Sequence, residues 1–316
     1  MELSQTDLLA IKDLTTEDIE LILDTADSMK EILTRPIKKV PALRGKLVIN
    51  LFFEPSTRTK SSFSLAVKRM SGDGMSITKD SSSLVKGESL VDTAKTLRAL
   101  GADAVVIRHS VPGAPKLLAE TVEIPVLNAG DGMHEHPTQA LLDLLTIREN
   151  KGELNDLNIA IVGDIRHSRV ARSNLWAMNK LGANVSLIGP PTLMPQQVEG
   201  LNADIFYDLS EGLKGADVVY LLRIQMERQN LNPFPSLREY REFYGLRQKH
   251  LSFTADDAII MHPGPINRDV EISPDLAYSE RALIERQISL GIAVRMALLY
   301  LLIGGGEIKD EHNITQ

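Results

Sequence analysis

The sequence predicts an α/β protein with two doubly wound parallel-sheet domains joined by bridging helices. Three observations lead to this prediction: short apolar runs recur along the chain, helical segments separate most of them, and the chain has 316 residues. Buried strands that alternate with helices are typical of parallel sheets covered on both faces. A chain of this length is long for one domain and suits two domains of about 150 residues each.

The first predicted helix begins at Thr15 and Asp18, which have the spacing of a capping box. Its apolar positions recur at helical spacing and comprise Ile19, Ile22, Leu23, Ala26, Met29 and Leu33. Apolar runs then predict buried strands at residues 47–53, 104–107, 159–162, 185–188, 218–222 and 258–261. A helix should follow the first strand, because Phe63, Ala66, Val67 and Met70 share one face.

The polar segment 151–156 is the only plausible break in mid-chain, and it predicts the domain boundary. The first domain would then span residues 1–150 and the second residues 151–279. A helix over about residues 138–149 would bridge the two. A last helix over about residues 280–303 would end at the glycines 304–306, a strong stop signal.

Composition excludes several kinds of partner and site. The net charge of −7 argues against a general nucleic-acid surface. The chain has no cysteine, which excludes thiolate nucleophiles, cysteine-ligated zinc and disulfides, and fits a cytoplasmic location. The N-terminus lacks the features of a signal peptide. The most apolar late stretch, residues 292–303, contains Arg295 and is shorter than the about 20 residues of a membrane span. We therefore expect neither a nucleic-acid nor a membrane partner.

The run Ser56-Thr57-Arg58-Thr59 lies where the first strand turns into a helix. Unpaired backbone N–H groups and the helix dipole make such a position an anion site. Three hydroxyls add donors, and Arg58 adds a fork that matches phosphate oxygens. The alternative is an ordinary helix cap, since Ser and Thr are common at N-caps.

Further polar residues follow the later strands. Arg108 lies at the end of the strand 104–107, where ligands of open α/β sheets bind. Pro137 suits a first helical position, which puts His136 at a helix N-terminus, where the dipole lowers the imidazole pKa. A metal site at His134 and His136 is disfavoured because no third ligand is evident. The glycine fingerprint of dinucleotide binding is absent from residues 161–169.

These segments together resemble the aspartate/ornithine carbamoyltransferase family, most closely its aspartate-using branch. The resemblance runs from about Leu8 to Ile303, nearly the whole chain. It implies a homotrimer whose active sites are shared between neighbours, with no cofactor and no metal. It also implies that the C-terminal helix packs back on the first domain. Whether regulatory chains or other enzymes of the pathway join the assembly stays open.

The resemblance also implies the site residues. The carbamoyl phosphate site would comprise Ser56, Thr57, Arg58, Thr59, Ser82, Arg108, His136, Gln139, Gly264 and Pro265, with Ser83 as the alternative to Ser82. The aspartate site would comprise Lys86, Arg169, Arg223 and Gln225. The residues closest to the chemistry would be Arg58, Thr59, Lys86, Arg108 and His136. His136 would contact the carbamoyl oxygen and Gln139 the carbamoyl nitrogen. Gly264 stands where some relatives have Leu, with little expected loss because its contact would be through the backbone.

The implied activity is transfer of the carbamoyl group from carbamoyl phosphate to the amino group of L-aspartate, an early step of de novo pyrimidine biosynthesis. Arg169 and Arg223 would meet the two carboxylates of aspartate. An ornithine acceptor is the near alternative, but its cationic side chain would need an acidic partner. A non-catalytic subunit that binds anions or scaffolds another enzyme is the alternative from a different class.

Overall fold

A computed structural model describes residues 2–78, 89–196, 201–224 and 236–304. The first half contains the four parallel strands β1 (Leu47–Phe52), β2 (Asp73–Thr78), β3 (Ala104–His109) and β4 (Val126–Asp131). Their order in the sheet is β2-β1-β3-β4. The helices of this half are α1 (Thr16–Thr34), α2 (Thr57–Arg69), α3 (Leu90–Ala99), α4 (Ala114–Ala119) and α5 (Pro137–Lys151).

The second half contains a five-stranded parallel sheet. Its strands are β5 (Asn158–Val162), β6 (Asn184–Ile188), β7 (Asp204–Phe206), β8 (Val218–Leu221) and β9 (Ile259–Met261), in the order β7-β6-β5-β8-β9. Its helices are α6 (Arg169–Lys180), α7 (Leu209–Gly212), α8 (Leu237–Tyr244) and α9 (Pro274–Ala277), and α10 (Ile284–Ile303) follows. Two parallel sheets with surrounding helices confirm the predicted fold class. The domain limits near residue 150 stay a prediction.

The first helix begins as the sequence indicates. The Thr15 hydroxyl accepts from the Asp18 amide at 3.1 Å, and the Asp18 carboxylate accepts from the Thr15 amide at 3.0 Å. The same carboxylate accepts from the amide and hydroxyl of Ser4. The capping box therefore also fixes the N-terminal segment against α1.

The last helix differs from its prediction in two ways. It begins at Ile284 rather than near residue 280, because Ile260 of β9 exchanges backbone hydrogen bonds with Arg281 and Leu283. Its apolar part also extends beyond residues 292–303, since the 20 residues of the helix are long and apolar enough to cross a membrane. However, its most apolar window is 56% buried inside the protein, where α10 packs against α1, α2 and α5. This burial is typical of a core helix.

One carboxylate joins the three helices α1, α5 and α10. Glu149 accepts from Arg286 at 2.5 and 2.6 Å and from Lys30 at 2.9 Å. The hydrogen bonds from Arg286, and then those from Lys30, lower the pKa of Glu149 to about 2. Because its folded-state pKa is depressed, Glu149 stabilises the fold above the ordinary carboxyl pKa, and this contribution is lost as the pH falls toward 2.

The variant Glu149→Gln is therefore expected to lower the free energy of unfolding by about 1–2 kcal/mol at pH 7, after allowance for solvent screening. Urea denaturation of wild type and variant should show a difference that shrinks steadily below about pH 4.5. Glu153→Gln, at an exposed position close by, is the control and should change stability little. An equal effect of the two substitutions would contradict a stabilising role for this cluster.

Candidate active site

A cleft of about 960 Å³ lies at the carboxyl ends of the central strands of both sheets. Among the described residues that line it are five arginines, namely Arg58, Arg108, Arg169, Arg223 and Arg295. Glu54 is the one carboxylate among them. The cleft is therefore strongly cationic although the chain carries a net charge of −7. Such a site favours ligands with several negative charges.

The N-terminus of α2 forms one wall of the cleft. Ser56 occupies the N-cap in an extended conformation, but its side chain makes no capping hydrogen bond. Thr57 and Arg58 are exposed, whereas Thr59 is buried. The alternative of an ordinary Ser cap therefore lacks its defining contact, and the first turn of α2 is available to an anion.

Glu54 bridges two arginines, Arg108 and Arg169, to which the family resemblance assigns different ligands. Its Oε2 lies 2.9 Å from Nη2 of Arg169 and 3.3 Å from Nε of Arg108. Both arginines also donate to backbone carbonyls: Arg108 Nη1 donates to Ala129 at 3.1 Å, and Arg169 Nη1 donates to Gly132 at 3.1 Å. Glu54 comes from the first half of the chain and Arg169 from the second, so this contact joins the two walls of the cleft.

His136 lies at the N-cap of α5, directly before Pro137. Its amide donates to the Ser173 hydroxyl at 2.9 Å, and its Nδ1 is buried without a hydrogen-bond partner among the described residues. Burial, and then the charges of Arg108, Arg169 and Arg295, hold its pKa well below the ordinary value. The sequence predicts this direction, but burial and the neighbouring arginines cause the shift. A neutral imidazole can donate a hydrogen bond without transferring its proton.

The turn after β9 approaches the α2 wall closely. Gly264 has φ +62°, and a Cβ built on it would lie 2.8 Å from Cζ of Arg58. Its amide donates to Nδ1 of His262 at 2.8 Å. Burial, and then the charges of Arg58 and Arg223, lower the pKa of His262 to about 3. The turn is therefore neutral, and at residue 264 it leaves room for the Arg58 guanidinium.

Arg295 is a buried charge at the base of the cleft, 3% exposed. Its guanidinium donates to the hydroxyls of Ser62 at 3.0 Å and Thr138 at 3.4 Å. It also lies 5.1 Å from the ring centre of Phe63. Burial lowers its pKa to about 10. In the sequence, Arg295 stands out as the charged residue of the apolar run 292–303. A charge within such a run indicates that the side chain has a specific role.

The structure brings most of the predicted site residues together. The cleft is lined by Ser56, Thr57, Arg58, Thr59, Arg108, His136, Gln139, Arg169, Arg223, Gly264 and Pro265. Ser82, Ser83, Lys86 and Gln225 lie outside the described residues. His134 does not join His136, since its Nδ1 lies 3.0 Å from the Asp131 carboxylate. No three metal-ligating side chains meet in the described part of the chain.

Comparison with known families gives two adjacent matches. Residues 6–149 match the model described as aspartate/ornithine carbamoyltransferase, carbamoyl-P binding domain. Residues 155–302 match the model described as aspartate/ornithine carbamoyltransferase, Asp/Orn binding domain. Together these matches span nearly the whole chain.

Full-length relatives are similar throughout. The chain is 57% identical to the aspartate carbamoyltransferase catalytic subunit of Halothermothrix orenii, over 98% of this chain and 99% of that protein. It is 58% identical to that of Moorella thermoacetica, over 96% of this chain and 99% of that protein.

Solved structures agree with these matches. Aspartate transcarbamoylase from Trypanosoma cruzi in complex with N-(phosphonacetyl)-L-aspartic acid has a TM-score of 0.86 and 30% identity, over 94% of this chain and 95% of that one. Ornithine carbamoyltransferase from Pyrococcus furiosus has a TM-score of 0.85 and 29% identity, over 95% and 98%. The motifs, the cleft and these similarities agree, and the chain belongs to the aspartate/ornithine carbamoyltransferase family.

Proposed function

We propose that the chain transfers the carbamoyl group of carbamoyl phosphate to the amino group of L-aspartate. The products are N-carbamoyl-L-aspartate and phosphate, an early step of de novo pyrimidine biosynthesis. The observation that carries this proposal is the charge of the cleft. Its described residues include five arginines and one carboxylate, which two of those arginines already bind. A phosphorylated donor and a dicarboxylate acceptor together bring the anions that such a cleft accommodates.

Each wall would bind one substrate. The uncapped N-terminus of α2, with Ser56, Thr57, Arg58 and Thr59, would hold the phosphate of the donor. The turn at Gly264 and Pro265 would offer backbone carbonyls to the carbamoyl and amino groups. On the opposite wall, Arg169 and Arg223 would bind the two carboxylates of aspartate. Lys86, Ser82 and Gln225 would complete these subsites.

The reaction needs electrostatic stabilisation rather than a side-chain nucleophile. The amine lone pair attacks the carbonyl carbon, a C–N bond forms and charge develops on the carbonyl oxygen. Thr59, Arg108 and neutral His136 would stabilise that oxygen by hydrogen bonds. When the C=O bond re-forms, the C–O bond to phosphate breaks. The phosphate leaves with the electron pair and takes the proton released by the nitrogen.

An ornithine acceptor is the near alternative, since one similar structure is named ornithine carbamoyltransferase. Its side-chain ammonium would need a carboxylate in the cleft. Glu54 is the one carboxylate that lines the described cleft, and it is paired with Arg108 and Arg169. The relatives that are 57% and 58% identical carry the aspartate name. Aspartate is therefore the favoured acceptor.

Product formation with the two acceptors tests the proposal. The purified chain is incubated with carbamoyl phosphate and either L-aspartate or L-ornithine, and the carbamoylated amino acid is quantified by mass spectrometry. Product with aspartate alone is expected. Product with ornithine alone would show that ornithine, and not aspartate, is the acceptor. No product with either would favour the non-catalytic alternative.

The proposal includes a cytoplasmic homotrimer with active sites shared between neighbours, to which regulatory or other pathway chains can add. Here Arg58 of one subunit and Lys86 of the next would serve the same site. The variants Arg58→Ala and Lys86→Ala should then each be nearly inactive as pure assemblies. After dissociation and reassembly of an equal mixture, activity should return to about a quarter of wild type, because each mixed ring regains one complete site.

Mass spectrometry of the intact assembly verifies that chains have exchanged. A mixture of wild type with Lys86→Ala, treated in the same way, controls for losses during reassembly. If both mutated residues served the site of their own chain, every site in a mixed ring would keep one defect. Verified exchange without recovery, or a monomeric native particle, would therefore contradict the shared site.

A further inference from the structure

Asp143 is a fully buried carboxylate on α5, one helical turn after Gln139. Its Oδ1 accepts from Nε2 of Gln139 at 3.0 Å and from Nε2 of Gln287 at 2.7 Å. Its Oδ2 accepts from Tyr220 at 2.6 Å and from Asn174 at 3.1 Å. One carboxylate thus receives four hydrogen bonds from side chains on α5, α6, β8 and α10.

The carboxylate determines the orientation of the Gln139 amide. An ionised carboxylate only accepts hydrogen bonds, so the amide must turn its NH₂ group toward Asp143. Gln139 also lines the cleft. With Nε2 bound to Asp143, the group that Gln139 offers a ligand is the acceptor Oε1. The reverse orientation would present the donor Nε2 to the ligand in place of the acceptor Oε1.

The same logic applies to Gln287 at the start of α10. Its Nε2 is bound to Asp143, and its Oε1 accepts from the His262 amide at 3.0 Å. The amide of Gln287 therefore links Asp143 to the turn of residues 262–265. Two amides that border the cleft have their orientation set by one buried charge.

We propose that Asp143 is a positioning residue that gives the cleft its selectivity for a carbamoyl group. By binding Nε2 of Gln139, it presents Oε1 as a hydrogen-bond acceptor for the carbamoyl NH₂. A donor that carries a methyl group in place of the NH₂ would leave this acceptor without a partner. The inference rests on the proposed function, because it assigns a ligand group to Gln139 within that reaction.

The ionisation of Asp143 is consistent with this role. Burial raises its pKa to about 6, against hydrogen bonds from Tyr220, Gln287, Asn174 and Gln139, which lower it. The carboxylate is therefore mainly ionised at neutral pH, where it can hold both amides in the required orientation.

Carbamoyl phosphate and acetyl phosphate are suitable probes, because they have nearly the same shape and differ by NH₂ against CH₃. Their dissociation constants are measured by titration calorimetry, which needs no turnover. In Asp143→Ala the Gln139 amide can rotate. We expect carbamoyl phosphate to lose about tenfold more affinity than acetyl phosphate, since a donor facing the NH₂ would be left unpaired.

Two further variants separate positioning from a general loss of structure. Tyr220→Phe removes a hydrogen bond from the other oxygen of the same carboxylate, and it should lower stability without changing the affinity ratio of the two probes. In a Gln139→Ala background, Asp143→Ala should have no further effect on that ratio. If Asp143→Ala does not fold, Asp143→Asn gives the same readout, because its side chain has nearly the same shape but carries a donor as well as an acceptor and so no longer fixes the Gln139 amide.

Equal loss of affinity for both probes, or the same ratio change in Tyr220→Phe, would overturn the inference. A further change in the double variant would also overturn it, since Asp143 would then not act through Gln139. Failure of the proposed function can be told apart from failure of this inference. If the wild-type chain forms no N-carbamoyl-aspartate, the proposed reaction is wrong, whatever the affinity ratio of the two probes. An active wild type with an unaltered ratio in Asp143→Ala would reject only the role of Asp143.

Discussion

Replacement of Arg58 by alanine is expected to lower turnover by about 10²–10³-fold while the fold stays intact. The side chain is exposed at the N-terminus of α2 and lines the cleft, so its loss removes no core packing. Its guanidinium would meet the phosphate as charge transfers to it, when hydrogen bonds to a charged group are strongest. Turnover is measured as N-carbamoyl-aspartate formed at saturating concentrations of both substrates.

The matched control is Arg44→Ala, at another exposed arginine of the same half of the chain, outside the cleft. It should retain normal turnover and normal thermal unfolding. Arg58→Lys keeps the charge but loses the two-pronged geometry, so we expect only partial recovery. Near-normal turnover of Arg58→Ala would contradict the assignment of the α2 N-terminus as the phosphate site.

Replacement of Arg223 by alanine should weaken aspartate binding by about 10–100-fold and carbamoyl phosphate binding by less than about threefold. Arg223 follows β8 on the second wall, whereas the α2 N-terminus belongs to the first. A charge-assisted hydrogen bond to a carboxylate would be lost, with a contribution of about 1.5–3 kcal/mol, which corresponds to this range of affinity. The dissociation constants are measured with carbamoyl phosphate alone and then with succinate, a dicarboxylate that lacks the amine, on the loaded enzyme.

Arg172→Ala is the control, because Arg172 is exposed on α6 of the same half and does not line the cleft. It should leave both affinities unchanged. A similar loss for both ligands in Arg223→Ala would mean that the residue supports the fold rather than the acceptor.

The sequence predicts those strands that are apolar at nearly every position. Each of the six predicted strands appears, because a run buried on both faces is readable without its neighbours. The three that were missed lack this signal. β2 is a largely exposed edge strand, β4 is interrupted by Asn128 and Gly130, and β7 has Asp204 among its three residues. Their places in the sheets depend on pairing with strands far along the chain.

The candidate site is predictable where its residues follow a strand directly. The α2 N-terminus and the turn at Gly264 have that position, and Arg108 lies near the end of β3. Gln287 and Asp143 could not be found in this way, and Glu54 follows β1 but its role depends on partners that lie far away in the sequence. Glu54 pairs with a residue 115 positions later, and Asp143 with one 144 positions later. Only packing brings such groups together.

The position of α10 has a consequence for how the chain matures on the ribosome. Leu290, Val294 and Leu298 of this helix belong to the same buried cluster as residues of α1 and α2. The strands of the first sheet, together with α1 and α2, therefore leave the ribosome long before α10 has been translated. The second sheet is complete in sequence once Met261 has been made. The half that is synthesised first is thus the last that can finish folding, and a stop codon shortly before residue 284 would leave its hydrophobic core open to solvent.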